Sequence, residues 1–158
     1  MAVRAGMTQP GPSKVTMMLA QFARATPDGC IDVLGAGWTQ IPEGPILYYI
    51  AGLLEFPWES GGVEHTGYFE LLDEQGAIVS TVGPNGEASA VRLQGKFNVA
   101  PNSGVQPGTP LGMPFVMGIE APPLRPGRYE WRLQFDGRTE DDWRLGFNVV
   151  PAVGPQGS

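Results

Sequence analysis

Val91-Arg92-Leu93-Gln94-Gly95-Lys96-Phe97-Asn98-Val99 alternates without a break: Val91, Leu93, Gly95, Phe97 and Val99 share one phase, and Arg92, Gln94, Lys96 and Asn98 the other. Successive strand residues point to opposite faces, so this is a strand with one face in a core and one in water. The same period recurs at Tyr129, Trp131, Leu133 and Phe135 against Glu130, Arg132 and Gln134, and again at Trp143, Leu145, Phe147 and Val149 against Arg144, Gly146 and Asn148. Trp131 and Trp143 therefore belong to the core, and the two runs predict a hairpin. Its connection, Asp136 to Asp142, begins with Asp-Gly but is longer than a two-residue turn. Thr26-Pro27-Asp28-Gly29 predicts a hairpin between strands at 14–25 and 30–35, and Asp73-Glu74-Gln75-Gly76 one between 65–73 and 77–82. Further strands are expected at 45–56 and 111–120. The reading is all-β: a two-layer antiparallel β-sandwich of about eight or nine strands, with immunoglobulin-like and jelly-roll topologies both open.

Glycine and proline supply 23 and 16 of the 158 residues. They punctuate the alternating runs instead of replacing them, which means many turns and not a disordered chain. The length fits one domain, placed at 14–150, with flexible tails at 1–13 and 151–158 that carry no periodic apolar pattern. Met7 is an alternative start. A net charge of −6 with no local Lys/Arg cluster speaks against nucleic acid and against an anionic membrane surface as partners. Cys30, the single cysteine, has no partner for an internal disulfide. The longest apolar run, Ile46 to Leu54, is too short to cross a bilayer, and the first residues lack the apolar stretch of a secretory signal. The expected location is the cytoplasm.

Two strands break the rule of one wet face. Across Ile46 to Phe56 one phase holds Ile46, Tyr48, Ile50, Gly52, Leu54 and Phe56, while the other holds Leu47, Tyr49, Ala51, Leu53 and Glu55. From Val15 to Ala23, Val15, Met17, Leu19 and Ala23 oppose Met18, Ala20 and Phe22. In a two-layer sandwich only one of these phases enters the core, so something else must cover the second. Two covers are open: the chain's own Pro-rich segments, Val99 to Pro110 and Ala121 to Gly127, or a subunit or protein partner.

Catalytic and metal chemistry find little support. His65 is the single histidine, no Gly-x-Ser-x-Gly elbow presents a serine, and His65 reads as a solvated residue at a strand start. Cys30, just after a turn, reads as a small, partly buried hydrophobe. One Cys and one His cannot make a structural zinc site. Asp136, Glu140, Asp141 and Asp142 lie in one loop and are the candidate metal ligands, for calcium, but Arg138 and Arg144 flank them and favour a solvated turn with local ion pairs. Gly35-Ala36-Gly37 lacks the following helix a phosphate loop needs, and suits a bulge or a close strand approach. No catalytic residue and no cofactor is expected. Trp38 and Trp58 adjoin loops, where an indole either plugs an end of the sandwich or anchors a partner or a sugar ring.

Asp32-Val33-Leu34-Gly35-Ala36-Gly37-Trp38-Thr39, Phe56-Pro57-Trp58 and Leu124-Arg125-Pro126-Gly127-Arg128-Tyr129-Glu130-Trp131-Arg132-Leu133, followed by Asp136-Gly137, resemble an uncharacterised bacterial β-sandwich family, a domain of unknown function. That resemblance spans most of 14–150 and implies the sandwich fold; it transfers no activity and no functional residues. The functional expectation is a non-catalytic protein-interaction or assembly module, self-associating or part of a larger particle, with Leu47, Tyr49 and Leu53 carrying the contact. The alternative is a carbohydrate or small-ligand binding domain that uses Trp58, Trp38 and the acidic loop, with or without calcium.

Overall fold

The turn residues fold as their chemistry dictates. In the first hairpin Gly29 takes φ +84°, which glycine adopts without strain, and its N–H donates to Thr26 O at 3.2 Å. The Asp73 carboxylate accepts the N–H groups of Gln75 and Ala77, both at 2.9 Å, and so holds the second turn. The computed structural model describes residues 11–101 and 103–152. Among these the strands are β1 (Lys14–Ala25), β2 (Ile31–Ala36), β3 (Gln40–Pro42), β4 (Ile46–Phe56), β5 (Glu64–Leu72), β6 (Ser80–Val82), β7 (Ala88–Ala90), β8 (Arg92–Asn98), β9 (Leu111–Ala121), β10 (Gly127–Phe135) and β11 (Arg144–Val150).

They form two packed sheets, as the alternation predicts. Sheet I has the order β2-β1-β4-β9 and sheet II the order β3-β11-β10-β5-β8, while β6 and β7 form a separate small hairpin. The chain crosses from sheet I to sheet II at β3 and back at β4, passes to sheet II again between β4 and β5, returns between β8 and β9, and crosses once more between β9 and β10. This Greek-key weave is immunoglobulin-like, which resolves the open topology. Two local features agree with it. Tyr129, at the start of β10, donates its hydroxyl to Arg125 O four residues upstream at 2.9 Å, the bond of a tyrosine corner. Two residues on, where antibody domains place an inter-sheet cysteine, stands Trp131; its indole N–H donates to the Tyr48 hydroxyl of β4 at 2.8 Å. A buried hydrogen bond thus joins the sheets where a disulfide would.

Several details differ from the sequence reading. β3 pairs parallel with β11, Ile41 opposite Val149, so the sandwich is not wholly antiparallel. After the Asp73–Gly76 turn the chain pairs only briefly with β5, through the bridge Leu72↔Ile78, and then leaves to form β6–β7; β8 takes the place at β5. The last hairpin does close on a two-residue turn. Asp136 and Gly137 have φ of +51° and +79°, and Phe135 and Arg138 exchange both backbone hydrogen bonds, as in a type I′ turn. The extra residues form a second excursion behind it, held by Thr139 Oγ1 donating to Leu133 O at 2.8 Å. The register of β1 with β2 is the same on either side of Gly35, at Ala20↔Ala36 and Phe22↔Leu34, so no residue is inserted as in a bulge and Gly35 serves close approach: its φ is +61° and an added Cβ would lie 2.6 Å from Gln21 Oε1.

Residues 11–13 also belong to the domain and not to a tail. Gly11 packs so closely on Phe135 that a Cβ would sit 2.8 Å from the Phe135 Cβ, and Ser13 N donates to Glu55 O at 2.7 Å. At the other end Pro151 and Ala152 are exposed, with Ala152 N donating to Glu43 Oε1 at 3.1 Å. Met7, the rest of the N-terminal segment and 153–158 lie outside the described residues. Among the described residues no helix is long and apolar enough to cross a membrane.

Trp131, Trp143, Tyr48, Phe56, Phe69, Phe135 and Phe147 fill the space between the sheets and are fully buried. Burial pushes the Tyr48 phenol up to about 12, against the opposing effect of its bond to Trp131. The unfolded chain ionises first as pH rises, so this contribution to stability is complete below pH 10 and is lost toward pH 12. A phenol held at about 12 and not at its ordinary 10 corresponds to about 3 kcal/mol. Tyr48→Phe is expected to lower stability at pH 7 by about 1–3 kcal/mol, because the Trp131 N–H is left without its acceptor. The same variant should lose less stability than wild type between pH 10 and 12, as read by urea midpoints at both pH values. An unchanged alkaline slope would contradict the assignment.

Candidate interaction surface

Sheet I separates its two phases. Val15 and Leu19 of β1, Tyr48, Ile50, Leu54 and Phe56 of β4, and Phe115 and Ile119 of β9 enter the core. The opposite phase forms one continuous outer face, because the registers align it in rows. Leu34 of β2 lies opposite Phe22 of β1; Ala36, Ala20, Tyr49 and Gly118 make the next row across all four strands. Met18, Ala51 and Val116 follow, then Thr16, Leu53 and Pro114.

That face is apolar and open. Leu34 is 64% exposed, Leu47 56%, Leu53 43%, Phe22 42% and Met18 36%. Tyr49 is half-buried because its ring meets Phe22 edge-on, with centroids 5.5 Å apart at 72°, and lies over Gly118. Among the described residues the Pro-rich segments do not cover it. Leu124 is drawn into the core instead, and Pro101 packs beside Gly61 at the far end of β4. Single exposed leucines need no explanation, but large apolar side chains sharing one flat sheet face do.

Sheet II presents the opposite chemistry. Its outer phase carries Tyr68, Glu70, Arg92, Gln94, Lys96, Arg128, Glu130, Arg132, Gln134 and Arg144, placed side by side by the β8-β5-β10-β11 ladders. Arg92 Nε stands 3.4 Å from Glu70 Oε2 and its guanidinium 4.0 Å from the Tyr68 ring centroid. Glu130 lies between Arg132, at 3.3 Å, and Arg144, at 3.8 Å. A cleft of about 300 Å³ beside them is lined by Asp73, Glu74, Glu130, Tyr129 and the arginines Arg128, Arg132 and Arg144. Burial first, then the charges of Asp73 and Glu74, raise the Tyr129 phenol. Three acids balance three bases there, so the cleft has no charge preference of its own.

The remaining predicted site residues are not brought together. Trp38 packs edge-on against Tyr48, centroids 5.4 Å apart, near the start of β4, beside a cleft of about 230 Å³ lined also by Gln21, Gln40 and Leu47. Trp58 sits in a single 3-10 turn, Trp58–Ser60, just past the end of β4 and is partly buried against the core. Eight residues of extended chain separate Tyr48 from Phe56, roughly 27 Å, so the two indoles occupy opposite ends of the sandwich. In the last hairpin Asp136 and Asp142 are exposed, Glu140 accepts from Arg138 Nε at 3.0 Å, and Asp141 stands 3.8 Å from Arg144. Among the described residues no three His, Cys, Asp or Glu side chains converge to hold a metal ion.

His65 and Cys30 reverse their expected environments. His65 is buried, stacked on Phe56 at 4.8 Å with Nε2 3.3 Å from Ser60 O, because it shares the inward phase of β5 with Gly67, Phe69 and Leu71. Ser60 Oγ nearby is buried without a hydrogen-bond partner. With both residues shut off from solvent, the pair has no access to a substrate. Cys30 is exposed, since it still belongs to the turn, where Thr26 N donates to its carbonyl.

Leu34, Pro114 and Val116 complete the face but are absent from the residues predicted to carry it. On β2 the signal was the phase Asp32, Leu34, Ala36, obscured by the equally apolar Ile31 and Val33 of a short strand. The likeness carried by 32–39 and 124–133 rests on those residues themselves: no protein-family model and no curated protein matches the chain.

Proposed function

We propose that the chain is a non-catalytic association module whose working surface is the outer face of sheet I. One observation carries this reading: five large apolar side chains, from Met18 to Leu53, are exposed together on one sheet face, while the outer face of the other sheet is charged. A sheet with one solvated face normally alternates apolar and polar residues, and sheet II does so. The departure in sheet I leaves a surface that loses little on contact with another apolar surface and gains by excluding water. With a single cysteine and no disulfide required, the cytoplasm is the proposed setting.

The test uses an environment-sensitive apolar dye and substitutions that leave the core untouched. Leu53→Glu and Leu47→Glu are each expected to reduce dye emission severalfold, with a change in stability within about 0.5–1 kcal/mol, as for surface positions. Gln94→Glu on sheet II should leave emission unchanged. Unfolding of both leucine variants would show that these side chains belong to a core, and equal emission from all variants would place the dye elsewhere.

A further inference from the structure

Building on that reading of the sheet I face, we infer that its occupant is a second copy of this chain, packed face to face about a two-fold axis. The edges of the sheets argue first for the face as the contact. Open β-edges are the usual route to strand addition, and these are blunted. β9 carries Pro114, β8 carries Arg92 and Lys96, β3 is three residues long and ends in Pro42, and β2 bears Asp32 and the left-handed Gly35. The outer face of sheet I has no such guard across its centre.

Charge argues for a like partner. The chain carries −6 overall, so two copies repel at any surface that shares this excess. On the outer phase of sheet I, however, the charges are confined to the ends of the apolar block and are nearly balanced there. Lys14 lies opposite Glu55 at one end, Arg24 is bridged to Asp32 at 2.9 Å at the other, and Glu120 stands opposite Leu47 on the edge strand β9. A two-fold contact sets such a face against itself without placing the chain's net charge in the interface.

The area fits a weak dimer. The five exposed side chains present on the order of 450 Å² per copy, so a face-to-face pair removes on the order of 900 Å² before Tyr49, Pro114, Val116 and the charged rim are counted, close to the roughly 1,000 Å² at which specific interfaces begin.

Sedimentation equilibrium of the full chain from about 1 to 500 μM tests this, since an interface at the small end of the range is expected to dissociate within that window. The mass should rise from monomer toward dimer and no further, and Leu53→Glu and Phe22→Glu, each verified as folded by circular dichroism, should shift the dissociation constant upward by at least tenfold. A wild-type mass that stays monomeric throughout overturns the second copy as occupant, as does growth beyond a dimer. In the monomeric case the dye separates the two readings. Emission lost on Leu53→Glu would keep the association surface and require a foreign protein, whereas a wild type that never binds dye would overturn the surface as well.

Discussion

Trp131→Ala is expected to leave the domain unfolded, or on the edge of unfolding, at 25 °C. Trp131 is fully buried in the middle of β10, and its indole N–H donates the bond to Tyr48 that ties the sheets together. Truncating a buried tryptophan costs about 3–5 kcal/mol through lost burial and the cavity left behind. That is a large part of the roughly 5–15 kcal/mol that holds a domain of this size. The Tyr48 hydroxyl, in a pocket dry enough to push its pKa up to about 12, would then also lose its donor. Urea unfolding and near-ultraviolet circular dichroism should show the loss, with Trp131→Phe intermediate. A variant within about 1 kcal/mol of wild type would mean that the core does not depend on this residue.

Gly52→Ala should be as damaging, although it adds a single methyl group. An added Cβ would lie 2.0 Å from Thr16 O and 3.1 Å from Met17 Cα, both backbone atoms of β1, and 3.0 Å from the Phe115 ring. Backbone cannot swing aside as a side chain can. Relief requires β1 and β4 to part, which opens the ladder from Lys14↔Glu55 to Ala20↔Tyr49 and the core beneath it. A loss of about 3 kcal/mol or more is expected, beyond the usual range for overpacking. Gly112→Ala on β9 is the matched control, because its Cβ would meet only Leu53 Cδ1 at 3.6 Å. Relief of glycine's conformational entropy in a strand should make it neutral or slightly stabilising. Equal effects at the two positions, measured by thermal midpoint, would contradict this packing of β1 on β4.

Much of this architecture is legible in the sequence, because a period of two names the inward residues directly. Phe97, Trp131, Trp143 and Phe147 are buried as their phases require. His65 obeys the same rule: its place at the start of β5 does not expose it, because it shares the inward phase with Phe69 and Leu71. Periodicity says which face a residue takes but not which strand lies beside it. For that reason the parallel β3–β11 pair, the displacement of β6 from β5 by β8, and the choice of an immunoglobulin-like weave needed the structure. β3 and β7 are three residues long, too short to show any period. The candidate surface was half legible. Leu47, Tyr49 and Leu53 stand out because β4 is apolar on both phases, whereas Leu34 and Val116 join them only through register. The split of Trp38 from Trp58 follows from the length of β4 and not from either residue's surroundings.

Solvent paramagnetic relaxation of the methyl groups, in a sample dilute enough to be monomeric, tests most directly whether the outer face of sheet I is an open surface. The account predicts strong relaxation at Leu34, Leu47, Leu53 and Met18, far above that of Leu19, Leu54 and Leu133 in the core. Relaxation of the four outer residues as weak as that of the core three would contradict it, because the face would then already be covered within the single chain.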